Sequence, residues 1–402
     1  MHIVFRFFYS FFFTFSSLKF ISVAKAMLQN FASKKQKNKF VKFPEKLNPL
    51  SIQRIFIVVV ALFFTTNLLS QEAEKFAYKQ VLKLMGTRFE ITAVSADEQL
   101  AKNSIDSCIK EIQRIEDLIS SWKPTTQTSL INDNAGIQPV KVDRELIGLI
   151  LRSKKISELT GGAFDISFAS VTNLWKFDGT QNTLPTEEEL AKSVAKINYK
   201  NIIVDEQNQT VFLKEKGMKI GFGAIGKGYA ANMGRKKMIE LGIKDGIVNA
   251  SGDLITWGKM ENNSDWSIGI ENPKETGKVM GWLVISNMAV VTSGNYEKFF
   301  MFEGKKYSHI INPTTGWPAT GSKSVTIICA DAEIADALAT SVFILGPEKG
   351  VELINKLKNI ECLIVTDADE LVTSSGIKLN YYENKATKQT TNNQLIINNN
   401  QK

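Results

Sequence analysis

Strand-like and helical patterns are mixed along this chain without strict βαβ alternation, and that order most constrains its fold. Strand-like runs lie near 246–250, 266–270, 282–291, 307–311 and 324–330, one after another. Residues 77–94 alternate and are broken by Gly86, as in a hairpin or bent strand, and short strands are expected at 201–204 and 210–214. Helical spacing covers 97–120, where Ile105, Cys108, Ile112, Ile115 and Ile119 share one face. Residues 143–160 read the same way and stop at Gly161-Gly162; 224–241 end at Gly242. A helix over 332–345 ends near Gly346-Pro347, and another over 348–358 leads to a strand at 361–366. A doubly wound parallel sheet needs a crossover helix between strands. The expected fold is therefore α+β, one body with a mainly antiparallel sheet flanked by helices. No internal repeat is visible.

The net charge of +8 is unevenly spread. Residues 1–70 hold ten Lys/Arg and one acid, Glu45, leaving 39 basic and 40 acidic residues in the remainder. The body is near neutral, so no global basic face for nucleic acid is indicated. The stretch RIFIVVVALFFTTNLLS at 54–70 follows basic residues. Its apolar part, Ile55 to Phe64, has the length of a signal-peptide core and is short for a membrane span. Cleavage before Gln71 and export are expected, with an uncleaved anchor at the inner membrane as the alternative. A second apolar stretch, FFYSFFFTF, precedes it, and two signals in tandem make little physical sense. Translation starting at Met27 is the expectation. The expected organisation is a leader at 1–70, a body at 71–385, and a disordered Asn-, Gln- and Thr-rich tail at 386–402.

The three cysteines, Cys108, Cys329 and Cys362, form no CxxC pair, and their odd number argues against a disulfide scaffold. They read as small buried hydrophobes.

Four segments could carry chemistry. In GFGAIGKGYA (221–230) four glycines surround Lys227 ahead of a helix, so backbone amides can approach an anion closely. The segment lacks the endings of a Walker loop or a dinucleotide fingerprint, and close helix packing explains it as readily. In ADALAT (335–340) Asp336 and Thr340 stand at i and i+4, a carboxylate and a hydroxyl on one helix face that suit hard Mg²⁺. A plain polar face is the alternative. His309, in YSHIINPTTGWP, is the single histidine after the leader and stands near a turn, where an imidazole can serve as general base or simply cap a strand end. GGAFDISFASVTNLWKFDG (161–179) sets Asp165 in an apolar run beside Phe164, Trp175 and Phe177, which could flank a planar ring or pack a core.

Taken in order, MGTRFEI, GGAFDIS, GAIGKGYA, SGNYEKFF, SHIINPTTGWP and ADALATSVFILG resemble the ApbE family of flavin transferases, from Met85 to Gly346. The resemblance implies Mg²⁺-dependent transfer of FMN from FAD to a Ser or Thr hydroxyl of an acceptor redox protein, releasing AMP. It implies metal ligation by the Ala224 carbonyl, Asp336 and Thr340. Flavin or adenine contacts fall on Met85, Trp122, Ala163, Phe164 and Asp165, further FAD contacts on Lys227 and Ile311, and the base on His309, with Lys227 assisting. Three segments depart from the family pattern. Gly221-Phe222 stands where Asp-Leu is common, Trp122 where Tyr is common, and ASGD at 250–253 where a double glycine is usual. The same residues would also serve an FAD pyrophosphatase or a non-catalytic flavin-binding protein.

Overall fold

The computed structural model describes residues 73–377 except 276, together with the backbone at 380–381. The expected leader and tail lie outside the described residues. The chain divides into units 1–72 and 73–402, and only the second is described here.

β1 (Phe76–Leu84) and β2 (Thr87–Ser95) form a hairpin in full register, Phe76 against Ser95 through Leu84 against Thr87. Its two-residue turn, Met85-Gly86, has φ of 48° and 76° at the two positions, the geometry that matches the strands' twist. α1 (Glu98–Ile119) starts on Asp97, whose side chain accepts the Leu100 N–H. Its buried stripe includes Ala101, Ile105, Cys108, Ile112 and Ile115. Then come α2 (Gln127–Asp133), β3 (Val140–Lys141), α3 (Arg144–Leu159), α4 (Glu187–Val194), β4 (Ile202–Asp205), β5 (Thr210–Leu213) and α5 (Gly226–Glu240).

The strand-rich half holds β6 (Asp245–Ala250), β7 (Asp253–Trp257), β8 (Trp266–Glu271), β9 (Val279–Ile285) and β10 (Ala289–Gly294). β11 (Phe299–Phe302), β12 (Lys305–Ser308) and β13 (Ser322–Cys329) follow. α6 (Ala332–Leu345), α7 (Pro347–Asn355), β14 (Glu361–Thr366), β15 (Leu371–Thr373) and β16 (Asn380–Tyr381) close the order. The run expected at 282–291 is two strands: Asn287, at φ 56°, turns the chain between β9 and β10. The run expected at 307–311 ends at Ser308, and Ile311 makes only an isolated bridge to Pro318.

Eight strands form one sheet in the order β1-β2-β6-β7-β10-β13-β14-β15, antiparallel at every pair. The fold is α+β with a large antiparallel sheet. Because side chains alternate across a strand, successive residues serve different layers. Ile255, Val291, Ile327 and Ile364 enter the main core beneath the helices. Their neighbours Leu254, Val290, Ile328 and Leu363 enter a second core with Ile270 and Leu283 of the three-stranded sheet β16-β9-β8. A third cluster, rich in aromatics, sits under the β11–β12 hairpin: Trp175, Phe300 and Tyr307, with Val171, Leu190 and Ile311. Cys108, Cys329 and Cys362 are free thiols in the interior. Among the described residues no helix is long and apolar enough to cross a membrane.

Candidate active site

The site grows from the crossing of α5 and α6. Gly228, in the first turn of α5, lies against the start of α6 so closely that a Cβ there would sit 2.0 Å from the Ala332 carbonyl oxygen and 2.8 Å from Asp336 Cβ. Glycine is required here for approach, since none of the glycines at 221, 223, 226 and 228 has a positive φ. Asn232 fixes the crossing further: its amide donates to Asp331 Oδ1 at 2.9 Å and accepts the Ala332 N–H at 3.2 Å. Asp331 also caps α6 through the Ile334 N–H.

That contact carries Asp336 inside. Its side chain is 3% exposed, and Oδ2 accepts the Gly228 N–H at 3.0 Å. Lys227 Nζ lies 2.6 Å from Asp253 Oδ2, and Asp253 is 1% exposed. Neither oxygen of Asp253 has a well-formed hydrogen bond, so the ammonium is its close partner. Burial, then the charge of Asp253, raises the Asp336 carboxyl to about 8. Burial raises Asp253 also, against the pull of Lys227. For Lys227, burial alone would lower the ammonium; the carboxylates of Asp253, Asp336 and Glu297 outweigh it and hold the group above its ordinary range. Two buried carboxylates thus face one ammonium.

A cavity of about 120 Å³ has a lining that includes Ala163, Phe164, Asp165, Ala224, His309 and Thr340. Ile311 lines it too. Thr340, one turn beyond Asp336, lies 3.4 Å from the Ser293 hydroxyl. The His309 ring meets the edge of Phe177 at 6.3 Å, and its Nδ1 is 3.1 Å from the Lys298 carbonyl. A carbonyl can only accept, so Nδ1 carries the proton and Nε2 the lone pair. Burial, with the nearby Lys227 charge adding to it, lowers the imidazole to about 4 despite the Lys298 carbonyl. The ring is a neutral base at physiological pH. A larger hollow, about 320 Å³ between Arg144, Ile147, Gly148, Leu151 and Glu206, contains none of these residues.

The structure therefore gathers Ala163, Phe164, Asp165, Ala224, His309, Ile311 and Thr340 around one cavity. Lys227 and Asp336 do not line it; they stand behind it, three residues after Ala224 and one helical turn before Thr340. The Asp165 carboxylate is already committed: Oδ1 accepts from the Ser167 N–H and hydroxyl, and Oδ2 from the Tyr199 N–H. It shapes the loop, leaving Phe164 and Ala163 as that segment's apolar surface. Met85 and Trp122 do not line the cavity. Met85, whose N–H donates to Glu116, has its Cε 3.8 Å from where a Cβ on Gly226 would lie. Trp122 is 88% exposed. At Gly221 a Cβ would come within 3.2 Å of Ala169 Cβ, so the departure at this position goes with a tight local fit.

Asp253 is the residue the sequence reading passed over. The ASGD segment is the β6–β7 turn, with Ser251 and Gly252 at φ 55° and 102°, and it delivers Asp253 straight to Lys227. The available signal was an acid opening the strand DLITW, all five of whose residues are buried.

The donor set fits a hard divalent cation. Among the described residues no cluster of three or more His, Cys, Asp or Glu could hold a metal by itself. One carboxylate, one hydroxyl and one carbonyl suit an ion that completes its shell on substrate phosphates. Asp336, Thr340 and the Ala224 carbonyl are the residues that would hold it.

The sequence model of the ApbE family matches residues 85–364. A Klebsiella pneumoniae protein named FAD:protein FMN transferase is 31% identical over 306 residues, covering 76% of this chain and 94% of its own length. A Treponema pallidum protein of the same name is 30% identical, covering 66% and 78%. A crystal structure of the ApbE protein from Thermotoga maritima superposes with a TM-score of 0.70 at 30% identity, covering 75% of this chain and 97% of that one.

Proposed function

This chain belongs to the ApbE family, and from that premise we propose that it is an enzyme that transfers flavin: it moves FMN from FAD to a Ser or Thr hydroxyl of an acceptor protein. In the balanced step, the acceptor oxygen bonds to the FMN-side phosphorus, the bridging P–O bond of the pyrophosphate breaks, and the hydroxyl proton is released. AMP is the leaving group. One observation supports this most strongly. A neutral imidazole with a free Nε2 lines a cavity with Ala224 and Thr340, close enough to the Lys227 ammonium to feel its charge, and that ammonium is held by buried carboxylates.

Each group has a chemical task. His309 takes the acceptor's proton, which a weakly acidic hydroxyl needs before it can attack. Lys227 is assigned to the charge that develops on the phosphates and leaving AMP. Asp253 holds the ammonium in place, and Gly228 N–H orients Asp336. Mg²⁺, held by Asp336, Thr340 and the Ala224 carbonyl, would neutralise pyrophosphate charge. The cavity holds only part of a ligand of this size. Phe164 and Ala163 offer an apolar wall, and the remainder of FAD would extend over Met85 and the open face of Trp122. The same reading places the enzyme outside the cytoplasm, supported by the basic, apolar leader ahead of a near-neutral body. A reporter fused after residue 80 should be active only when exported; activity in the cytoplasm would sink that part.

The test is to incubate the full chain with FAD and Mg²⁺, with and without an exported redox protein as acceptor. Acceptor-dependent AMP release supports transfer. AMP release at the same rate without acceptor indicates a pyrophosphatase, and tight FAD binding with no AMP indicates a carrier.

A further inference from the structure

Flavin transfer requires a second protein to bring its hydroxyl to His309, and the β11–β12 hairpin stands beside that histidine. The Lys298 carbonyl, immediately before β11, accepts both the His309 backbone N–H at 3.0 Å and Nδ1 at 3.1 Å. The root of the hairpin and the orientation of the base therefore share one oxygen. Within the hairpin the faces differ. Phe300 and Tyr307, direct cross-strand partners, stack with centroids 5.1 Å apart and turn inward onto Trp175. The other face carries Phe299, Met301 and Lys306, with Phe299 41% and Met301 55% exposed.

Two further observations converge on this face. β11 and β12 pair only with each other, so each strand keeps one edge without a strand partner among the described residues. Neither Lys298 nor Lys306 has an ion-pair partner among the described residues: Lys306 Nζ sits 4.2 Å over the Phe299 ring and donates to Asn295. Lysines on a free edge can simply discourage pairing with other chains. That device goes with a polar surface, whereas here two large apolar side chains, Phe299 and Met301, share the face with Lys306. Exposed apolar anchors, free edges and unpaired cations together are the makings of a peptide-docking strip.

We propose that the outward face of β11–β12 is the docking surface for the acceptor, which presents an extended segment bearing both acidic and apolar side chains. Its carboxylates lie against Lys306, and its apolar groups cover Phe299 and Met301. A four-residue strand spans roughly 13 Å, so five or six residues of the acceptor cover it and set the reactive hydroxyl beside His309. The inference rests on the flavin-transfer reading.

The test uses the full chain with FAD and Mg²⁺ and two synthetic peptides of equal length. Each has a central Thr between apolar residues, flanked in one by Asp and in the other by Lys. The wild type should attach FMN to the acidic peptide at least about tenfold more efficiently in kcat/KM than to the basic one. The double variant Met301→Ser/Lys306→Glu should lose that preference, while FAD affinity and AMP release to water, measured without peptide, stay within about twofold. Equal labelling of both peptides, labelling of neither while AMP is still released, or an unchanged preference in the double variant would each overturn the docking surface. A wild type that neither labels a peptide nor releases AMP from FAD would instead refute the flavin-transfer reading beneath it.

Discussion

The buried charge cluster, the base, and the exposed surface assigned to FAD and acceptor, the rim, are built on opposite terms. At the base, Asp253 and Asp336 are nearly sealed from solvent, Lys227 is pinned between charges, and Gly228 leaves no room for a methyl group. At the rim, Trp122 is almost wholly in water, and Phe299 and Met301 stand out from their hairpin. The base fixes charge, which is costly to bury and useful only where geometry is rigid. The rim offers apolar and aromatic surface that gains energy only when something covers it. The proposed transfer, which holds a pyrophosphate still yet admits a second protein, would use both. The boundary between them is His309, half-buried, with one ring nitrogen tied to Lys298 and the other free.

Substitutions should separate the two regions sharply. Asp336→Ala should abolish Mg²⁺-dependent turnover, because it removes the formal negative charge from the proposed ligand set. A titration of activity against Mg²⁺ checks this, and normal turnover at low Mg²⁺ would remove α6 from the metal site. His309→Asn, at the boundary, should slow transfer by about 10²–10⁴-fold while leaving FAD binding intact. Single-turnover rates beside equilibrium binding make the comparison, and unchanged transfer would leave His309 a structural role.

Gly228→Ala should cost about 3 kcal/mol of stability, near the upper end for overpacking, because the neighbour it meets is the Ala332 backbone rather than a mobile side chain. Denaturant unfolding reads this directly; a loss below about 0.5 kcal/mol would mean that the helices separate freely. For pH, the imidazole is held near 4 when folded against 6.5 ordinarily. Between those values the unfolded chain binds a proton that the folded chain refuses, so the ring's penalty on folding fades, and stability rises, as pH rises through that window. Its base form is complete above it, and the rate of transfer should show no His309 limb between about pH 6 and 8. A rate that climbs with a midpoint near 6.5 would contradict the shift. Trp122→Ala, at the open extreme, should leave stability within about 0.5 kcal/mol yet raise KM for FAD.

The sequence made the helices and most of the main sheet legible because their apolar periods are long. The α1 stripe and the α6 run ending at Gly346-Pro347 are examples. It was weaker where a turn hides inside an apolar run: Asn287 splits 282–291 into two strands by adopting a left-handed conformation, which composition does not announce. The candidate site residues were named through ordered motifs, and their gathering is a matter of tertiary packing. Asp253 escaped because its meaning depends on Lys227, 26 positions earlier in the chain and 2.6 Å away in space. The commitment of Asp165 to Ser167 and Tyr199 was equally invisible, since Tyr199 reaches it only through the fold.

The central claim is that FMN moves from FAD onto a protein hydroxyl. Intact-protein and peptide mass spectrometry of an exported acceptor, co-expressed with the full chain or with His309→Asn, tests it most directly. The wild-type chain should add one FMN to a single Ser or Thr, and the variant little or none over the same time. An acceptor that stays unmodified while FAD is converted to FMN and AMP would contradict it.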